Sequence, residues 1–149
     1  MRGKRPNAMR HLRAAYRSGL EVAIAAALAL AGINGRYEQA TIPFTQPAKQ
    51  RKYTPDFVLP NGIIIESKGL FEGADRLKHE WVKEQHPALD IRFVFSNPGA
   101  KLYKGSPTTY ADWCLKRGFK FAKKEIPTEW LTEPADPHRV QAVETFLRG

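Results

Sequence analysis

The sequence predicts an α/β fold, a mixed central sheet flanked by helices. Three stretches carry that expectation. Tyr53 to Gly69 holds two short apolar segments, Phe57-Val58-Leu59 and Ile63-Ile64-Ile65, divided by Pro60-Asn61-Gly62. Asn-Gly between hydrophobic runs marks a hairpin, because both residues tolerate positive φ. Leu20, Ile24, Leu28 and Ala31 recur at helical spacing, and Ile91 to Ser96, IRFVFS, reads as a strand that follows a helical pattern over 73–86. A chain of 149 residues suits one domain with a real core.

In chain order, residues 1–17 carry Arg2, Lys4, Arg5, Arg10, Arg13 and Arg17 and no acid. They read as a basic arm suited to phosphates. A basic start before the apolar run Val22 to Ile33 also suits a secretory signal. Against that, the run is mostly alanine, Glu21 interrupts its start, and about a dozen residues are too few to span a bilayer. Ser18-Gly19-Leu20-Glu21 fits a capping box, with a helix to about Ala31 and Gly32 as its C′ residue. Arg36 to Phe44 alternates enough for a strand. Pro43 and Pro47 then bracket Phe44-Thr45-Gln46, which suits an extended connector, over 41–52.

The hairpin strands are expected near 53–59 and 62–68, in a sheet buried on both faces. The helix over 73–86 presents Leu77 and Trp81, with Val82 nearby, and ends at Pro87. Its His79 reads as a surface residue, with a general base or phosphate ligand as the sharper alternative. Asn97-Pro98-Gly99 is a turn. Ser106 and Pro107 suit the N-cap and N1 of a helix through Arg117, closed by Gly118. A short strand around Phe119 to Phe121, a short helix placing Trp130 on the core, and a small amphipathic helix with Val140, Val143, Phe146 and Leu147 complete the chain.

The formal charge is +9, which favours a polyanionic partner or an anionic surface. Candidate DNA contacts are Arg13 and Arg17 in the arm, the cluster Lys49, Arg51 and Lys52, Arg76, and Lys101 and Lys104 in a basic-aromatic loop. Each of these also reads as an ordinary solvated surface. The one cysteine, Cys114, excludes an internal disulfide, points to a reducing compartment, and reads as a buried small hydrophobe. No zinc-type Cys/His spacing, internal repeat or nucleotide-binding glycine loop occurs, so no organic cofactor is expected.

Three charged residues interrupt the apolar hairpin: Asp56, Glu66 and Lys68. Glu66 and Lys68 share one strand face, and the hairpin can bring Asp56 beside Glu66. Carboxylates at the rim of an apolar sheet are costly unless they pair or bind a metal. Hard oxygen donors suit Mg²⁺, with Mn²⁺ able to substitute. A lysine beside them can orient water or stabilise a charged phosphate. The plain alternative is a hairpin with an ordinary Glu–Lys pair and a turn-forming Pro-Asp.

Pro55, Asp56, Glu66 and Lys68 together resemble the PD-(D/E)xK nuclease superfamily. The longer blocks YTPDFVLPNGIIIESKGL, DRLKHEWVKEQHPALDIRFVFS, KLYKGSPTTY and IPTEW resemble phage endonuclease I, the Holliday-junction resolvases of T-odd phages, over roughly residues 16–134. The resemblance implies a restriction-endonuclease-like core in an intertwined, domain-swapped homodimer, with the connector as the bridge. It implies cleavage of four-way junctions and other branched DNA in the cytoplasm of a host cell, with up to two Mg²⁺ per site. The expected ligands are Asp56, Glu66 and the Ser67 carbonyl, and Lys68 is expected to act on water or phosphate. Spacing alone makes Glu21 a helix cap; the match at RSGLE makes it a further metal ligand. Residues 18–134 would form the nuclease domain and 135–149 a tail that lacks the family's basic character. A monomeric nuclease of repair or restriction type and a non-catalytic nucleic-acid-binding module are the competing readings.

Overall fold

The computed structural model describes residues 18–46 and 49–147. The basic arm, with Arg13 and Arg17, lies outside them. Helix α1 (Gly19–Leu30) starts where Ser18 Oγ accepts from the Glu21 N–H at 3.1 Å, and it ends at Gly32, whose φ is 69°. The strand expected over 36–44 is broken. β1 (Arg36–Tyr37) pairs with the central sheet, whereas β2 (Ile42–Gln46) leaves it, and the positive φ of Glu38 marks the bend between them.

The connector expected over 41–52 is, within one chain, not a single extended segment. β2 pairs antiparallel with β3 (Lys49–Tyr53), Ile42 opposite Tyr53 and Gln46 opposite Lys49. Alternation explains the pairing: Ile42 and Phe44 bury one face of β2 while Pro43 and Thr45 stay exposed. Pro47 and Ala48, between the strands, lie outside the described residues.

The hairpin itself forms, but its first strand is shorter than expected. β4 (Phe57–Val58) pairs antiparallel with β5 (Ile63–Lys68). Of the turn residues only Gly62 takes positive φ. Asn61 instead accepts from the Ile63 N–H and donates to the Trp130 and Glu133 carbonyls. A side chain at position 62 would also stand 2.9 Å from the Val140 nitrogen. β5 runs parallel to β6 (Asp90–Phe95) through helix α2 (Gly73–Gln85), and β6 runs parallel to β7 (Lys120–Lys123) through helix α3 (Tyr110–Arg117). The sheet order β1-β4-β5-β6-β7 is mixed, as expected.

Ile63, Ile64 and Ile65 are fully buried and alternate between two apolar layers. Ile64 faces the α2 and α3 side with Phe71, Phe93 and Trp113. Ile63 and Ile65 face α1 and Trp130. Trp130 lies on helix α4 (Thr128–Thr132), and Cys114 is buried in the first layer. Helix α3 begins later than Ser106-Pro107 suggests. Thr109 and Asp112 exchange both bonds of a capping box, which satisfies two otherwise orphaned donors, while Ser106 Oγ accepts from the Thr108 N–H. Helix α5 (Pro137–Glu144) folds back on the hairpin turn. Arg92 and Arg139 hold it there, both pairing with Asp90 and Glu133, and Arg139 Nε donates to the Asn61 carbonyl at 3.0 Å. Among the described residues no helix is long and apolar enough to cross a membrane.

Candidate active site

The β4–β5 ladder stops at Phe57 opposite Ile65, so the strands separate one residue before Asp56 and Glu66. The Asp56 carboxylate fills that gap. Its Oδ2 accepts from both the N–H and the hydroxyl of Ser67, each at 2.9 Å. Glu66 points to the opposite face, where its Oε2 accepts from the Tyr53 hydroxyl at 2.7 Å and, more weakly, from the Asp56 N–H at 3.4 Å. Lys68 Nζ lies 3.5 Å from Glu66 Oε1 and 3.7 Å from Asp75 Oδ1.

These groups open into one cavity of about 440 Å³, lined by Glu21, Glu38, Thr54, Asp56, Glu66, Ser67, Lys68 and Lys78. The Glu21 backbone N–H donates to Ser18 Oγ, and its carboxylate accepts from the Tyr37 hydroxyl. The helix therefore delivers an acid from its first turn into the pocket. Glu21 therefore stands both in the capped first turn of α1 and on the wall of the cavity. Of the predicted residues, Glu21, Asp56, Glu66, Ser67 and Lys68 share this cavity.

The cationic candidates disperse. Arg51 and Lys52 are exposed on β3, which Lys49 opens. Lys101 and Lys104 are exposed in the loop before α3. Arg76 is half-buried and braces that loop, donating to the Phe71 carbonyl at 2.6 Å and, at the limit of a hydrogen bond, to the Leu102 carbonyl at 3.5 Å. His79 is not the surface residue expected. It is fully buried between Tyr53, Phe71, Phe93 and Phe119, and neither ring nitrogen has a hydrogen-bond partner among the described residues. It shares the inner face of α2 with Val82, while Leu77 is 43% exposed, so the buried stripe runs beside the one that Leu77 and Trp81 suggest. Burial holds the imidazole well below its usual pKa, with the nearby Lys68 and Lys78 charges adding to the effect, and the ring does not line the acidic cavity.

Tyr53, Tyr37, Thr54, Glu38 and Lys78 join the site without having been singled out from sequence. No fixed spacing announces them. Each arrives because the β2–β3 arm, the β1 bend or α2 packs over the end of β5.

Burial pushes the Asp56 carboxyl up to about 8. The Glu66 charge adds to this, and the two Ser67 hydrogen bonds offset part of it. Glu66 is also raised by burial, although Lys68 and the Tyr53 hydroxyl pull it down. Burial alone would lower Lys68, but Glu66, Asp75 and Asp56 outweigh it and keep the ammonium charged. Asp56 binds its proton more tightly folded than unfolded, so its contribution is complete below about pH 4 and is lost as pH rises toward 8. Without divalent cation, the melting temperature is expected to fall by roughly 5–10 °C between pH 5 and pH 8. Mg²⁺ should restore it at the alkaline end, and Asp56→Asn should flatten the slope. A thermal-shift series across pH checks this; a melting temperature rising through that window would contradict it.

Among the described residues no three His, Cys, Asp or Glu side chains form a ready-made metal cage. The donors present still fit Mg²⁺, which takes one or two carboxylates and keeps several waters. Asp56 and Glu66 are two hard carboxylates in a polar cavity roomy enough for those waters.

Fold and site together define a class: a mixed α/β domain whose central strands carry two carboxylates and a lysine into one acidic pocket. The chain belongs to the phage endonuclease I family, whose model matches residues 3–146. It is 55% identical over 120 residues to Endonuclease I of Escherichia phage T7, covering 80% of this chain and 80% of that protein. It is 53% identical over 120 residues to Endodeoxyribonuclease 1 of Enterobacteria phage T3, covering 80% of this chain and 79% of that protein.

Proposed function

We propose that this chain is a structure-selective endodeoxyribonuclease. It resolves four-way junctions and other branched DNA by metal-dependent phosphodiester hydrolysis, as a homodimer, in the cytoplasm of a host cell. The observation that carries this reading is the convergence of Asp56, Glu66, Lys68 and Glu21 on one cavity. The names of the T7 and T3 relatives, an endonuclease and an endodeoxyribonuclease, support DNA as substrate. The +9 charge supports a polyanion.

Asp56, Glu66 and the Ser67 carbonyl would hold one Mg²⁺, and Glu21 would help to hold a second. Ions held there would supply an activated water and positive charge beside the phosphate. Lys68, charged and braced by Glu66 and Asp75, positions a water or a phosphate oxygen by hydrogen bonding. The Tyr53 hydroxyl fixes Glu66, and the Ser67 N–H and hydroxyl fix Asp56.

The dimer is supported by the β2–β3 arm, which lies outside the five-stranded sheet and joins α1 and β1 to the hairpin that carries Asp56, Glu66 and Lys68. Opening that arm would pass α1, β1 and β2 to a second copy and rebuild the same contacts between subunits. The closed arm in one chain favours a second reading, a monomeric nuclease with the same chemistry, and the oligomeric state separates the two.

The test is cleavage of a synthetic four-way junction and of its linear duplex control, with Mg²⁺ and with a chelator. Magnesium-dependent cuts concentrated on the junction are expected. Equal cutting of the duplex would remove the structure selectivity, and cleavage unaffected by the chelator would remove the metal.

A further inference from the structure

We infer that the groove between the β2–β3 arm and helix α2 receives one unstacked nucleotide of the cleaved strand, beside the scissile phosphate. This rests on the nuclease reading of the acidic pocket. The groove is a cavity of about 460 Å³, and its walls include Phe44, Arg51, Lys52, Leu77, Lys78 and Trp81. That size is in the range of pockets that take one small ligand.

The two walls differ in kind. Trp81 is half-buried and lies at 26° to the Phe44 ring, with centroids 6.5 Å apart. With Leu77, which is 43% exposed, it makes an apolar floor open to solvent. Arg51 and Lys52, both exposed, and Lys78 ring that floor with positive charge. The acid in the groove, Asp75, is paired with Lys68 at 3.7 Å and Lys78 at 3.8 Å. An aromatic floor rimmed by cations matches a base with its phosphate, since base faces stack on aromatic rings and phosphates pair with Lys and Arg.

Position selects the occupant. Lys78 lines both this groove and the acidic cavity, and Asp75 bridges Lys78 to Lys68. A strand whose phosphate sits against Lys68 therefore continues over Lys78 into the groove. In a continuous duplex both faces of each base are covered by its neighbours. Only a nucleotide whose stacking is interrupted offers a face to Trp81, and unstacking is least costly where the duplex is already broken. Trp81 is thus a specificity-determining residue that favours branched over continuous DNA, and it acts on substrate fit rather than on the chemical step.

The experiment is a double-mutant cycle between protein and DNA. Abasic nucleotides replace, one at a time, those flanking the cleaved phosphate in a four-way junction. Magnesium-dependent cleavage is then measured for the parent, Trp81→Leu and Trp81→Phe. One abasic position should slow the parent about tenfold through KM, as loss of one stacked base would. The same position should have no further effect in Trp81→Leu, and Trp81→Phe should recover most of the loss. Should Trp81→Leu not fold, Leu77→Glu at the exposed rim should give the same loss of the abasic effect. Abasic and protein effects that simply multiply, or a Trp81→Leu protein with parental KM, would overturn the nucleotide subsite while leaving the nuclease reading intact. A parent that cleaves no junction would overturn both.

Discussion

Asp56→Asn and Glu66→Gln proteins are expected to bind a four-way junction at least as tightly as the parent. They should cleave it at least about 10³-fold more slowly, the scale of losing a group that organises charge in the transition state. The two effects separate because the carboxylates add nothing to the positive field that holds DNA. Removing one beside a phosphate relieves repulsion. Neither change should unfold the chain. An Asn oxygen at position 56 can still accept from the Ser67 N–H and hydroxyl, and both parent groups are already costly to ionise where they sit. Gel-shift binding and single-turnover cleavage on the same junction measure both halves. Parental turnover from either variant would remove that residue from the catalytic assignment.

The second large effect comes from mixing two inactive proteins. Glu21 reaches the pocket from α1, on the far side of the β2–β3 arm from Asp56, Glu66 and Lys68. If the arm opens and exchanges α1 between copies, each site takes Glu21 from one subunit and the other three residues from its partner. Co-expressed Glu21→Ala and Glu66→Gln chains would then form a heterodimer with one intact site and one doubly damaged site. That heterodimer should nick one strand of a junction, although each parent homodimer is inactive. Purified heterodimers that show no nicking would mean that the site closes within a single chain, as the β2–β3 pairing allows.

Much of this arrangement was legible in the residues, and its failures share a cause. Asn61-Gly62 between apolar runs announced the hairpin, and period-two spacing put Glu66 and Lys68 on one face. These are local rules, so they survive folding. Ser106-Pro107 misplaced the start of α3 because Thr109 and Asp112 offer two reciprocal bonds three residues later. His79 was misjudged because a polar ring on a charged helix looks exposed until the aromatic layer beneath it is known. The connector looks extended in the sequence because prolines report stiffness and not pairing partners. Lys78 reaches the pocket, and Tyr53 reaches Glu66 behind it, only through packing of the arm and α2 across the end of β5, which no single stretch of sequence encodes.

The carboxylate pocket as a divalent-cation site is the claim on which the rest depends, and Mn²⁺ binding followed by electron paramagnetic resonance tests it directly. The parent should bind Mn²⁺ with an affinity that rises from pH 6 to pH 8, because the ion must displace a proton held by Asp56 near the upper end of that window. Asp56→Asn should lose that binding and its pH dependence. An Asp56→Asn protein that binds Mn²⁺ as the parent does would contradict the account.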